Sequence, residues 1–419
     1  MSKGTSSNTS NEKNTNVVPL HGRDTKIGKV EEFINIHWDF RYNTGNHKCE
    51  WQPKYNSNAW SELPYNHLLK LVELAGYANS DKLLKTVLGS YEYERAHDPI
   101  KNYFANLKWD GVERIDKLSE YVKAKGKYRF QTQFKKHLVR SIACSTEIGT
   151  MNKHCLVLIH KKQSSGKSSF LRWLCPPALR GYYQENLINN EKDDQRSMCE
   201  NFIINLDEMG NLKRKQQETI KSMLSATSFK LRSHYATSFN TYQRIANFWG
   251  STNSGDLLTD SQNVRWLCFE IDGIDFNYHN TRTGQKDFNI DDVWAEAFAL
   301  YLESHKGNYN FEMTEEELEE NEIANNEFRS LDLIDEILLK HFEPAYVNEP
   351  GAHFWNATEI LEHLVKKDAT AMGIARNSVY IGKNMRQLEF IYRANSGKRG
   401  YWLKLKKQGF GELFKIDSE

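Results

Sequence analysis

The spacing of apolar residues changes rhythm along this chain, and each change predicts a different element. VEEFINIHWDF (30–40) and YNHLLKLVELAGYA (65–78) repeat apolar positions at helical intervals, with a short hairpin expected in KCEWQPKYNSNAW (48–60) between them. HDPIKNYFANLKWDGVERIDKLSEYV (97–122) continues helix-rich, and FQTQFKKHLVRSIACST (130–146) is an amphipathic helix. The rhythm then gives way to short apolar runs bounded by turns: CLVLIH (155–160), FIINL (202–206), IANFWGS (245–251) and WLCFEI (266–271). Strands alternating with helices predict an α/β sheet with helices packed on it. TEEELEENEIANNEFRS (314–330) reads as an exposed acidic helix with a solvated face over Glu315–Glu322. Beyond it, ATEILEHLVKK and RNSVYIGKNMRQL predict two helices, and EFIYRANSGKRGYWLKLK a strand, a glycine turn and a strand, the outline of a winged helix.

These changes divide the chain into a polar, disordered tail (1–26), a helical N-terminal domain (27–125), an α/β core (126–310), an acidic helical linker (311–336) and a basic C-terminal block (337–419). A length of 419 residues agrees with more than one domain. No run approaches the roughly 20 apolar residues of a membrane helix, and the polar N-terminus has no apolar signal core, so a cytoplasmic location is expected. Lys and Arg number 56 against 55 Asp and Glu, so any nucleic-acid contact must come from local patches. The six cysteines are scattered, with no Cys-x-x-Cys pair, and read as reduced thiols outside any zinc site.

The chemistry begins after CLVLIH. A phosphate-binding loop needs a strand, a turn rich in backbone N–H groups, and Gly-Lys-Ser/Thr opening a helix. Here the turn is KKQSSGKSS, so Gln163, Ser164, Ser165, Gly166, Lys167, Ser168 and Ser169 are the candidate ATP-binding residues. Gly166 would let the backbone approach phosphate, Lys167 would reach the β- and γ-phosphates, and the Ser168 hydroxyl would hold Mg²⁺. Lys161 occupies the position of the motif's first glycine. FIINL ends in Asp207-Glu208. Asp207 would support the metal with Ser168, and Glu208 would polarise the attacking water. Asn253, closing Phe248–Asn253, could set an amide beside the γ-phosphate. Arg265, just before WLCFEI, could reach a neighbouring subunit's site as an arginine finger. Taken singly, Asn253 is a turn residue and Arg265 a surface charge; their order behind the first two elements is what points to a shared role.

These stretches resemble the virulence-associated protein E family of phages and mobile elements, which is similar to superfamily 3 helicases of the AAA+ class. His97-Asp98-Pro99 through Leu107-Lys108-Trp109-Asp110-Gly111, with Arg114 and Leu118, resembles the block ahead of the family's ATPase core. Gln163 with Gly166-Lys167-Ser168, Leu206-Asp207-Glu208, Ser251-Thr252-Asn253, Asn263 with Arg265-Trp266, and Trp294-Ala295-Glu296-Ala297 follow in the family's order. The likeness covers about residues 97–330. Lys161 and Ser164 stand where members carry glycine, and Val264 where a second arginine is common. The resemblance implies an AAA+-like P-loop core between a helical domain and a winged-helix-like domain. It also implies ATP and Mg²⁺, and a homo-oligomeric ring, such as a hexamer, acting on DNA.

In such relatives the segment between the acidic strand and the next one carries a hairpin that grips single-stranded DNA. Here it is SFKLRSHYATSFNTYQR, offering Lys230, Arg232, His234, Tyr235 and Arg244, basic and aromatic residues suited to backbone and stacking contacts. A solvated loop, or arginines serving the next subunit's ATP, reads the same segment equally well. The C-terminal block adds Arg376, Lys383, Arg386, Arg393, Lys398, Arg399 and Lys404, of which Arg393, Lys398 and Arg399 on the wing are candidates for duplex phosphates; a protein-docking module is the other reading. Residues 1–100 carry no primase signature. The expectation is a DNA helicase or replication initiator that hydrolyses ATP. The alternative is an ATP-controlled DNA-binding or signalling switch without translocation, or a degenerate core kept for assembly.

Overall fold

The helical rhythm of the first segment breaks at Trp38, where the backbone turns extended and the Trp38 N–H closes the helix on Ile34. The computed structural model describes residues 24–55, 60–162, 165–187, 190–211, 214–231, 239–255, 257–258, 264–275, 288–329, 333–375, 377–388, 390–395 and 397–406. The chain divides into two units, one of residues 1–99 with 231–240, the other of 100–230 with 241–419. In the first, α1 (Lys26–His37) is followed by β1 (Trp38–Asn43), β2 (Lys48–Pro53), β3 (Ser61–Glu62), α2 (Tyr65–Leu74), α3 (Asp81–Glu94) and β4 (Ala96–His97). The strands form a sheet in the order β3-β2-β1-β4. The expectation of a helical N-terminal domain with one short hairpin is therefore corrected to helices beside a four-stranded sheet. WDFRYN alternates, with Phe40 and Tyr42 buried among Val30, Ile34, Leu68, Leu84 and Tyr91. That period of two is a strand signal, masked by the helical period running into it from residue 30. The hairpin expected in 48–60 is present as β2 paired with β3, the second strand falling just past Trp60.

The second unit opens with α4 (Pro99–Asn106), α5 (Ile115–Glu120), β5 (Val122–Ala124), α6 (Lys127–Thr146), β6 (Cys155–Ile159), α7 (Lys167–Leu174), β7 (Tyr183–Glu185), α8 (Glu191–Glu200) and β8 (Ile203–Leu206). It continues with α9 (Arg214–Leu224), β9 (Ser228–Leu231), β10 (Asn240–Gln243), β11 (Asn247–Thr252), β12 (Trp266–Ile274) and α10 (Ile290–His305). Six strands form one sheet, β5-β12-β6-β11-β8-β7, parallel except for β5 at the edge. The four strands expected from the sequence are its centre. Two apolar clusters cover its faces, one with Leu156, Leu158, Phe170, Trp249 and Trp294, the other with Val157, Ile204, Phe248 and Trp266. Burial on both faces is why CLVLI reads as an unbroken apolar run. The chain is thus a mixed α/β protein built on a parallel sheet.

Several residues of the family-like stretches are architectural. Glu296 caps the start of α5, accepting from the N–H groups of Arg114 and Ile115, the latter at 2.8 Å. The Trp294 indole donates to the Leu174 carbonyl at the end of α7, at 2.9 Å. All six cysteines are buried, unbridged thiols, and burial pushes that of Cys268 up to about 12.

The last part holds α11 (Glu315–Asn326), α12 (Leu333–His341), β13 (Phe342–Pro344), β14 (His353–Trp355), α13 (Ala357–Lys367), α14 (Ala369–Ile374), α15 (Ser378–Gln387), β15 (Tyr392–Asn395) and β16 (Lys398–Leu405). The two expected helices are α13 and α15, and the expected strand pair is β15–β16, turning through Gly397 at φ +78°. β13 and β14 also pair with β16, around a core that includes Ile337, Ile360, Leu364, Ile381 and Leu403. α11 is the expected acidic helix, but its solvated face does not take in every residue of Glu315–Glu322: Glu317 is ion-paired with Lys136 at 2.7 Å, and Asn321, like Asn325 beyond it, is buried. Glu315, Glu316, Glu319, Glu320 and Glu322 remain exposed on its other side. Among the described residues no helix is long and apolar enough to cross a membrane.

Candidate functional site

β6, β8 and β11 lie side by side and parallel, so the residues that follow them emerge at one end of the sheet. The carboxyl ends of parallel strands are where ligands collect in open α/β sheets. After β6 the chain reaches Gly166, whose φ of +81° favours glycine, and α7 starts at Lys167. The first N–H groups of that helix have no intrahelical acceptors, and its dipole favours an anion there.

Lys167 is only 6% exposed. Its Nζ donates to Ser165 Oγ and to Asn253 Oδ1, both at 2.9 Å. Burial draws its pKa below the usual lysine range, opposed by the Asp207 carboxylate. Ser168 Oγ lies 3.0 Å from each oxygen of Asp207. Ser251 Oγ also donates to Asp207 and sits 3.4 Å from Ser168 Oγ. The Asp207 N–H is held by Asn186 Oδ1 at 2.8 Å. Glu208 is exposed, with a left-handed φ of +54°. A non-glycine residue there costs about 1–3 kcal/mol, a strain that collects at functional sites.

Two glycines set the approach of β8 to β11. Gly210 donates its N–H to Thr252 Oγ1 at 3.1 Å, and a Cβ on it would lie 2.7 Å from Ser254 Cβ. A Cβ on Gly250 would collide with the Met209 sulfur. A side chain at Gly210 would push the acidic turn away from Thr252 and Ser254, on either side of Asn253, and one at Gly250 would displace the Met209 side chain.

The result is a cavity of about 320 Å³ lined by Ser165–Ser169, Asp207, Glu208, Thr252 and Asn253. A larger cavity of about 830 Å³ opens beside it between α8 and α9, sharing Asp207 and Glu208. Among the described residues its lining adds the carboxylates Glu191 and Asp194, and a polyphosphate suits the smaller one, where Lys167 and a helix start face it. Ser168, Asp207 and Ser251 offer the hard oxygen donors that suit Mg²⁺. The cavity thus joins a cation, a metal-type oxygen set and an exposed carboxylate, the kinds of group that nucleoside triphosphate binding and hydrolysis call on.

Of the other candidates, Gln163 and Ser164 lie outside the described residues, as do Arg232, His234 and Tyr235. Lys230 is exposed on β9, which pairs with β10. Arg393 and Lys398 project from one face of the β15–β16 pair and Arg399 from the other, all three exposed. Arg265 lies at the opposite end of the sheet from the cavity. It precedes β12, and its neighbour Trp266 is in register with Cys155, the first residue of β6, about 13 Å of strand from Ile159. Its side chain cannot reach its own chain's cavity; its Nε donates to Ser225 Oγ at 3.0 Å.

Arg244 is a correction. It is 0% exposed, and its guanidinium donates to the carbonyls of Leu224, Asn152 and Ala246 at 2.8, 2.7 and 3.0 Å. It ties α9 to the sheet and offers nothing to DNA. Stranding each buried acceptor costs about 1–3 kcal/mol. Arg244→Ala is therefore expected to lower the thermal midpoint sharply, while any DNA binding by the folded protein is unchanged. A DNA-binding defect with unchanged melting would reverse this assignment.

Ser251, Thr252 and Asn186 were not selected from the sequence as site residues. Ser251 and Thr252 carried a signal in Ser-Thr-Asn, but the alternation of β11 was needed to show that Ser251 faces Asp207. Asn186 carried none.

The virulence-associated protein E-like domain is matched over residues 104–330, more than half of the chain. No curated protein matches. Among solved structures, the apo structure of the NrS-1 C terminal region (305-718) is 9% identical, covering 91% of this chain and 100% of that one at a TM-score of 0.45. An A-form apo structure of the same region is 12% identical, covering 90% and 98%, at 0.44.

Proposed function

The chain belongs to the virulence-associated protein E-like family, and from that membership and the site we propose that it is an ATP-hydrolysing protein of phage or mobile-element replication. In this reading the cavity is a P-loop site, the core is AAA+ and superfamily 3 helicase-like, and the protein acts as a ring on single-stranded DNA. The observation that carries it is the meeting of Lys167, Ser168, Asp207, Glu208 and Asn253 around one cavity at the ends of three adjacent parallel strands.

Lys167 would neutralise the β- and γ-phosphates, and Asn253, its present partner, would turn towards the terminal phosphate. Ser168 and Asp207, with Ser251 behind them, would hold Mg²⁺, which supplies positive charge where the transferred phosphoryl group develops negative charge. Glu208, on its strained turn, would accept a proton from the attacking water. In the same reading the C-terminal part, with α13, α15 and the β15–β16 pair, would be a winged helix. Arg393, Lys398 and Arg399 on that wing would meet duplex phosphates, and Lys230 would stand at the base of a hairpin meeting a single strand.

The test is ATP turnover measured with and without single-stranded DNA, beside a Lys167→Ala variant. Loss of a single preorganised charge contact costs about 10²–10³ in turnover. The expected result is turnover that rises with DNA and falls by that factor in Lys167→Ala, with melting unchanged. Normal turnover by folded Lys167→Ala would remove the P-loop assignment.

A further inference from the structure

The strand that presents Arg265 is only half covered by other strands. On its inner side, β12 pairs with β6 along its first five residues, and the Arg265 carbonyl accepts from Cys155 N at 2.8 Å. On its outer side, β5 pairs with β12 only at Ile271 and Ile274. The outward backbone groups of Trp266 and Cys268 would be an open sheet edge, and such an edge needs covering.

It is covered by side chains. Asn321 Nδ2 and Asn325 Nδ2, one turn apart on α11, both donate to the Trp266 carbonyl, at 3.0 and 2.8 Å. Asn325 Oδ1 accepts from Cys268 N at 3.4 Å, and Arg129 donates to the Cys268 carbonyl. The two asparagines are 0% and 1% exposed. They stand where a neighbouring strand's amides would, bonding the carbonyl of Trp266, the residue next to Arg265.

α11 is held in that place by polar contacts. Arg129, Gln133, Lys136 and Arg140 recur along one face of α6, each no more than 8% exposed. Arg129 donates to Asn321 Oδ1 at 3.0 Å, Gln133 to Glu317 at 3.0 Å and Lys136 to Glu317 at 2.7 Å. At the far end of α11, the Phe328 carbonyl accepts from Leu257 N and Leu258 N, both at 2.9 Å, in the segment that follows Asn253. One helix therefore fixes both the entrance to β12 and the chain behind Asn253. An apolar helix face would cover the edge but leave the Trp266 carbonyl without a donor; paired amides fix its position and direction.

We propose that Asn321 and Asn325 are positioning residues that hold Arg265 in the pose needed to serve a second copy's nucleotide. This rests on the ATPase reading above. Removing the clamp's side chains leaves the chain's own cavity intact, because Lys167 and Asp207 sit at the other end of the sheet and the chain behind Asn253 is held by the Phe328 carbonyl, not by the two asparagine amides. It lets Arg265 wander, and a misplacement of about 1 Å costs on the order of 10²-fold in rate.

The test compares the full-length parent, Asn321→Leu/Asn325→Leu, and the milder Asn321→Leu, which leaves Asn325 on the Trp266 carbonyl. Leucine keeps the branching at Cγ and removes the donors. Three readouts are taken: affinity for a fluorescent ATP analogue, turnover, and amide exchange of the peptide spanning 264–270 in protein without nucleotide. The expected result is unchanged affinity, faster exchange and turnover lowered about 10–100-fold in the double variant, less in the single one. Mixing the double variant with Lys167→Ala is expected to restore turnover, because one copy brings an intact cavity and the other a well-held Arg265. Mixing it with Arg265→Ala is expected to restore none. Unchanged turnover despite faster exchange, a parallel loss of analogue affinity, or equal rescue by Arg265→Ala would overturn the proposal. If the double variant does not fold, the same outcomes are read from Asn321→Leu. Normal turnover in Lys167→Ala marks failure of the ATPase reading; loss there without any effect of the asparagine variants marks failure of the clamp alone.

Discussion

Arg265→Ala is expected to bind ATP with the parent's affinity and to hydrolyse it about 10³–10⁵-fold more slowly, the range for loss of an arginine acting in trans. The reason is position. Arg265 is partly exposed at the start of β12, while Lys167 and Ser168 follow the end of β6, with which β12 is parallel. Its guanidinium cannot approach its own chain's phosphates, so its loss leaves binding in that cavity untouched. In an assembly, the same residue would neutralise charge developing on a neighbour's transferred phosphoryl group. Subunit mixing is the decisive measurement. Arg265→Ala and Lys167→Ala are each expected to turn over poorly alone, yet a mixed interface combines an intact cavity with an intact arginine, and turnover should return. Full activity of Arg265→Ala, or no recovery in oligomers shown to exchange, would sink the shared site.

Glu208→Gln is the second large effect. The substitution keeps size and shape and removes the carboxylate that would take the water's proton, a contribution of about 10²–10⁴ in rate. Glu208 is exposed and follows Asp207, which holds Ser168 and Ser251. ATP and Mg²⁺ binding should therefore persist, and the variant should accumulate as an ATP-bound form. Equilibrium binding beside single-turnover hydrolysis separates the two. If binding is lost as completely as turnover, Glu208 holds metal or structure instead of activating water.

The fold was legible wherever a local period was unopposed. CLVLIH, FIINL, IANFWGS and WLCFEI read as strands, and they are neighbours in the sheet. WDFRYN did not, because a helical period runs into it from Val30 and no turn residue marks the change. β5 and β7, three residues each, are too short to carry a period at all. The candidate site was legible in Gly166, Lys167, Ser168, Asp207, Glu208 and Asn253, residues whose type and place after a strand imply their geometry. Ser251 lay in a recognised stretch, but its bond to Asp207 depends on which way β11 faces.

Charge was the property the sequence resolved least. Arg244 stands in a basic, aromatic segment and looks like a nucleic-acid contact. Its fate was decided by the carbonyl of Asn152, 92 residues away. Glu317 stands in an acidic run that looks solvated; Lys136, 181 residues away, takes it into a part-buried pair. By itself, the sequence determined the central strands, their order along the chain and the residues leaving their ends, because a strand's period and its terminal turn are local. Only the tertiary structure decided which charges are buried, which edge of β12 needed covering and on which end of the sheet Arg265 stands. Those outcomes depend on donors and acceptors brought together from distant parts of the chain, and a polar side chain carries no local record of the partner it will meet.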